Sequence, residues 1–185
     1  HLVEEHTPAW HDDDLLPLFL QIWAVGIGLS VEALAAGGGD TGQLEPHNRA
    51  LWEAGMATAA PTAYLTELRL QQYARRVVAS WDAYDVILTP ALAEPPLRRG
   101  LLFEPEQVAH NPTWPLLRAG FFTPFTPLVN VTGQPAASWP VAASEGLPVG
   151  VQAIGRPGDE ATLYRLSAQL EAAGAWQGTA AALLH

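Results

Sequence analysis

The chain has no cysteine and no lysine in 185 residues. Without cysteine there is no disulfide framework, no thiol nucleophile and no thiolate metal site. Nothing in the composition demands an oxidising compartment, so the cytoplasm is the default expectation. Without lysine, no side-chain amine can act as a base. The nine basic residues are all arginine, scattered apart from the doublets Arg75-Arg76 and Arg98-Arg99. Against 19 acidic residues they leave a formal net charge of -10. An acidic surface repels phosphate backbones, which argues against nucleic acid as a partner. Long apolar runs are also scarce. The richest, residues 15–29, is interrupted by Pro17, Gln21, Gly26 and Gly28, so no membrane span is expected. The opening His-Leu-Val-Glu-Glu-His has no basic n-region and does not read as a signal peptide.

What is present is a globular composition. Apolar residues make up 49% and charged residues 15%, enough apolar surface to close a core. The length suits one domain, and no repeat or linker divides it. Residues 2–5 read as a short strand cut off on its N-terminal side, so the chain reads as truncated. Asp12, Asp13 and Asp14 place acid in a first helical turn, where it complements the helix dipole. A helix over about 13–36 follows and ends at Gly37-Gly38-Gly39. A second helix is expected over 45–57. A third runs over about 61–83, with Leu70, Tyr73, Val77 and Trp81 as its buried stripe. Residues 85–90 form a continuous apolar run closed by proline, which predicts a strand buried on both faces, as in a parallel or mixed sheet. Residues 91–119 hold five prolines and little periodicity, and read as one long irregular connection. Two strands follow, at 135–142 and 148–154, joined by a turn at Glu145-Gly146. A last helix is capped by Asp159, carries Leu163, Leu166 and Leu170 inward, and ends near Gly174. The order predicts an α/β layer, a small sheet of a few short strands packed with helices.

The stretch 121–140 reads Phe-Phe-Thr-Pro-Phe-Thr-Pro-Leu-Val-Asn-Val-Thr-Gly-Gln-Pro-Ala-Ala-Ser-Trp-Pro. Residues 146–164 continue from Gly-Leu-Pro-Val-Gly-Val-Gln-Ala-Ile-Gly to Leu-Tyr. Together they resemble the C-terminal part of the amidase signature family. Residues 85–96, 44–55 and 1–5 resemble preceding segments of that family in the same order. The resemblance implies a partial amidase domain over residues 1–185. Its chemistry would be hydrolysis of an amide by a serine, a second serine in a cis peptide and a lysine, without metal or cofactor. Those parts lie upstream in the family. The glycine run 37–39 is followed by Asp40 rather than serine, and no residue here inherits a catalytic role.

The resemblance also carries Gly120, Thr123, Phe125 and Pro127 onto the wall of the substrate pocket, with Trp23 approaching from the other side. The transamidase branch of the family implies an acid in this segment to bind an ammonium group. Residues 121–126 contain none, which favours an uncharged or aromatic small-molecule amide over glutamine. Alone, the chain is expected to be inactive and to associate with a missing N-terminal half or with itself. The alternatives are a non-catalytic binding or assembly fragment, and a transamidase subunit.

Other features have plainer readings. Asn130 is expected to satisfy backbone groups at a helix end, with Gly133 at positive φ. Ser138 reads as a structural hydroxyl, since no histidine but a distant His110 could activate it. His1, His6 and His11 recur every five residues, which matches neither a helical pair nor a strand face, so no metal site is expected. Arg156 is expected to bind a carboxylate or carbonyl at the sheet edge. Most of the seven tryptophans should be core, and His47, His110 and His185 surface.

Overall fold

A computed structural model describes residues 1–7 and 9–175, so the expectations for Trp176 and His185 lie outside the described residues. The elements are α1 (Leu15–Ala36), α2 (Pro46–Ala57), α3 (Ala60–Ala79), β1 (Val86–Pro90), α4 (Pro105–His110), α5 (Trp114–Phe122), α6 (Thr126–Thr132), β2 (Ala136–Ser144), β3 (Leu147–Gly155) and α7 (Glu160–Ala172). The strands form one sheet in the order β1-β3-β2. Both pairings are antiparallel, so the sheet described here has no parallel pair. The β2–β3 hairpin turns on Glu145 and Gly146, at φ +52° and +78°. A two-residue turn with both residues at positive φ matches the twist of its strands.

One sheet face carries Ile87 and Ile154 against Tyr73, Val77 and Trp81 of the third helical stretch, and against Leu128 of α6. The other face packs Trp139 and Ala153 against Leu163 of α7. The predicted α3 stripe is therefore core. The Trp139 indole donates to Ser167 Oγ at 2.8 Å, which removes the cost of burying its N–H. Strand β1 departs from the expectation of burial on both faces. Ile87 and Thr89 are buried, but Leu88 is 54% exposed. The reason is position: β1 is an edge strand, and α7 packs on β2 and β3.

The stretch 91–119 is not one irregular connection. It contains a 3-10 turn (Leu101–Phe103), α4 and most of α5. Pro105 and Pro115 stand in the first turns of those helices. There the missing N–H has no intrahelical partner to lose, so these prolines start helices rather than break them.

The same physics corrects the reading of α1. Pro17 lies in its first turn, and the helix continues through Gly26 and Gly28 to Ala36. Among the described residues, α1 is thus one helix long and apolar enough to cross a membrane by length and composition. In this fold its Ala24, Gly28 and Val31 are buried, and it packs on α2 and α3. The crossing with α2 is tight. A Cβ added at Gly55 would stand 2.0 Å from the Ala24 carbonyl oxygen.

Residues 2–5 form no strand. The N-terminal arm instead runs extended along α3. Tyr84 donates to Glu4 at 2.7 Å, Trp10 packs edge-on to Trp81, and Tyr73 donates its hydroxyl to the Trp10 carbonyl at 2.8 Å. Asp12 and Asp14 bond Arg76 and Arg69 of α3. Asp14 makes no side-chain cap to α1, so the acidic run ties two elements together instead of capping one. Burial, with the Asp12 charge second, pushes the Tyr73 phenol from 10.0 up to about 12. A phenol raised in the folded state favours folding fully below pH 10 and loses that contribution as pH climbs from 10 to 12.

Two tests follow from this packing. Gly55→Val should lower stability by about 1–3 kcal/mol in urea melts, because the obstructing atom is backbone. Gly26→Ala, with nothing within 4 Å of an added Cβ, should instead stabilise by up to about 1 kcal/mol. Equal effects at the two glycines would refute the tight crossing. Tyr73→Phe should cost about 1 kcal/mol at pH 7 and reduce the loss of stability between pH 10 and 12. An unchanged alkaline slope would show that Tyr73 is not its source.

Candidate functional site

Of the five predicted wall residues, Gly120, Thr123, Phe125 and Pro127 fall on one continuous stretch from the last turn of α5 to the first turn of α6. Gly120 lies in the last turn of α5, where an added Cβ would meet Leu16 of α1 at 3.4 Å. Thr123 closes α5 twice: its N–H and its hydroxyl both donate to the Ala119 carbonyl at 2.8 Å. The Thr126 hydroxyl donates back to the Thr123 carbonyl at 3.1 Å. Phe125 is the N-cap residue of α6, and Pro127 stands in that helix's first turn. Thr123, Phe125 and Pro127 are half-buried, while Phe121 is 65% exposed.

Two outside anchors hold this turn. The Ala93 N–H, just after β1, donates to the Phe122 carbonyl at 3.1 Å. Gln152 of β3 donates through Nε2 to the Phe125 carbonyl at 3.2 Å and to Thr89 Oγ1 at 3.3 Å. Gln152 and Thr89 are both buried. The sequence reading did not single out Gln152. The available signal was a lone amide in the otherwise apolar or glycine run of β3.

Trp23 lies seven residues beyond Leu16 on α1. Seven residues are about two turns, so the two share a face roughly 10 Å apart along the axis. The Trp23 ring packs on Phe19 at 5.3 Å and remains 42% exposed. Trp23 is therefore on the face of α1 that meets Gly120, displaced along the helix.

No acid belongs to the turn itself. Glu94, on the loop after β1, is held by Arg118 of α5 through two bonds of 2.8 Å. That guanidinium keeps the Glu94 carboxyl below the usual carboxylate range. The acid brought alongside α5 is thus already engaged. Hydroxyls and carbonyls can shape a cleft and orient an amide, but this turn offers no base.

The remaining candidates stand apart. Ser138 is exposed on β2, His110 is exposed at the end of α4, and no hydrogen bond joins them among the described residues. His1 bonds Gln169, His6 stacks on Tyr84 and His11 approaches Asp13, so the three histidines do not converge. Arg156 follows the end of the central strand β3 rather than a sheet edge, and it makes the expected carbonyl and carboxylate contacts, to Tyr84 and Asp82 at 3.0 and 3.3 Å and to Asp85. Gly133 takes φ +68° and ends α6. The hydroxyl that turns back there is that of Thr132, donating to the Val129 carbonyl, while Asn130 is exposed. A cleft of about 190 Å³ lies elsewhere, between the N-terminal arm and α3. Its walls are the two Asp–Arg pairs, which satisfy each other.

Known proteins resemble this chain in sequence and in fold. AmiC of Mycobacterium tuberculosis (strain ATCC 25618 / H37Rv), whose name designates it an amidase, is 39% identical over 113 residues, 60% of this chain and 23% of its own length. The 6-aminohexanoate-cyclic-dimer hydrolase of Paenarthrobacter ureafaciens is 35% identical over 125 residues, 63% of this chain and 24% of its own. The chain therefore spans about a quarter of the curated relatives it matches. A solved structure of 6-aminohexanoate cyclic dimer hydrolase superposes with a TM-score of 0.83 at 25% identity, over 94% of this chain and 38% of that one. A bacterial aryl acylamidase of the amidase signature family shares the fold, with a TM-score of 0.57 at 23% identity, over 78% of this chain and 30% of that one. The fold is thus that of the amidase signature enzymes. The Amidase family profile matches residues 31–164, more than half of the sequence, and the chain belongs to the amidase family.

Proposed function

We propose that this chain forms one wall of the substrate cleft of an enzyme that hydrolyses the carbon–nitrogen bond of an uncharged amide. The observation that carries the reading is the Thr123–Pro127 turn, pinned to α5 and to the sheet and free of ionisable side chains. Thr123, Phe125 and Pro127 line the cleft, Gly120 sets how closely α5 meets α1, and Trp23 flanks it. An apolar wall with engaged hydroxyls suits a neutral amide and gives nothing to an ammonium group. A relative named for the cyclic dimer of 6-aminohexanoate fits the same chemistry, since cyclisation ties up both the amine and the carboxylate in amide bonds.

The nucleophile and its base belong, in this reading, to amidase sequence beyond the chain. The absence of lysine supports it, as does the quarter of its relatives' length that the chain spans. The partner is that sequence, or in its absence a second copy. Exposed apolar side chains support the need for one: Trp23, Leu29 and Leu34 on α1 and Leu88 on β1. The cytoplasm is the proposed compartment, supported by the lack of cysteine.

The purified 185-residue chain should turn over neither an anilide nor a cyclic amide above blank, and should self-associate in sedimentation. Reproducible turnover, or a monodisperse monomer, would overturn the respective half of the proposal. Sequencing in frame upstream of the His1 codon should reveal a Gly/Ser-rich signature and a lysine; a stop codon there would exclude them. In the polypeptide so extended, Phe125→Ala should raise KM for a neutral amide about tenfold with a smaller effect on kcat. Thr123→Asp should shift preference toward amides bearing an ammonium group. Unchanged constants in both variants would remove the turn from the cleft.

A further inference from the structure

We infer that Gln152 is the positioning residue of the cleft wall, holding the Thr123–Phe125 turn at a set height above the sheet. The inference rests on the reading of that turn as part of the cleft. The register places Thr89, Gln152 and Ser138 in one row across all three strands. Ile87 and Ile154, one row along on the same face, lie in the core with Leu128 of α6. Gln152 thus projects toward α6 from the central strand.

Helix α6 has seven residues, too few to be stable without tertiary support. Its middle is fastened by buried Leu128. Its downstream end is fastened by a second buried glutamine. Gln134 Nε2 donates to the Gly155 carbonyl at 2.8 Å, and the Gly155 N–H donates to the Pro135 carbonyl at 2.9 Å. Its upstream end meets the sheet through Gln152 and the Phe125 carbonyl at 3.2 Å. The two glutamines bracket the helix from opposite ends of its length.

The bracket is not symmetric. Downstream, a backbone bond backs up the side chain. Upstream, the Ala93–Phe122 backbone bond holds the α5 side of the turn, and the described bond from the sheet to the α6 side is the Gln152 amide alone. Burying an amide is unfavourable unless its donors are used. Here the Nε2 group is used twice, toward Thr89 and toward Phe125. Removing the donor leaves the core volume unchanged and releases only the end of α6 that carries Phe125. Gln152 touches no reacting group and acts through Phe125.

Amide hydrogen exchange on the 185-residue chain tests this. Gln152→Met, close in volume and without a donor, should speed exchange at Thr123 and Thr126 about tenfold and leave the α7 amides unchanged. Gln152→Glu, which can accept but not donate when ionised, should do the same. Gln134→Met should act at the Gly133 end and spare Thr126. No change at Thr123 and Thr126, or an equal rise through α7, would overturn the inference. Should both Gln152 variants unfold, the unsubstituted chain decides by NMR: a slowly exchanging Gln152 side-chain amide is expected, and one exchanging like free glutamine would refute it. In the extended polypeptide, Gln152→Met should raise KM more than it lowers kcat. If exchange responds but Thr123 and Phe125 substitutions leave KM unchanged, the positioning stands and the cleft reading fails.

Discussion

Burial of the second half of β3 on both faces is the constraint from which the other placements follow. Ile154 is 1% exposed and Ala153 fully buried, one facing the α3–α6 layer and the other facing α7. Antiparallel partners on each side leave the strand no freedom of register, because a slip of one residue would exchange these two faces. The register then fixes the row centred on Gln152, and with it the turn between α5 and α6. The candidate site is thus an outgrowth of strand pairing rather than of loop sequence.

Much of the scaffold was legible because its signals are local. The 3–4 spacing of Leu70, Tyr73 and Val77 needs no knowledge of what lies opposite. Asp159 accepts from the Thr162 N–H as a cap should, and the Thr162 hydroxyl, donating to it at 2.6 Å, is the main cause that keeps its carboxyl below the usual range. The misread parts are those where one residue type has two meanings. Proline breaks a helix in its interior and starts one in its first turn, and periodicity over six or nine residues is too short to distinguish them. Residues 86–88 are apolar without a break, yet in β1 only the alternate residues Ile87 and Thr89 are buried, because whether an edge is covered depends on elements far away in sequence. The site was legible only through resemblance. Nothing in the spacing of Thr123 and Phe125 announces a cleft, and the anchor at Gln152 comes from 27 residues downstream.

Charge is handled in a consistent way. Three acidic residues that bear on structure are matched to arginines: Asp12 to Arg76, Asp14 to Arg69, Glu94 to Arg118. These pairs bind an arm or a loop to a helix, where geometry matters more than the modest energy of a surface ion pair. They leave the α5–α6 turn with dipoles instead of charges. Family membership and this lack of charge are separate facts, and the proposal of a neutral amide rests on both.

The edges of the sheet differ. Strand β2 carries Pro140 at a register shift, so it lacks a donor and bends there. Strand β1 keeps its proline at the very end, and alternate N–H groups of its other four residues point away from β3. One border is blunted against another strand and the other is not. Of the two borders, only the one at β1 has no proline in the strand's interior to oppose a further strand.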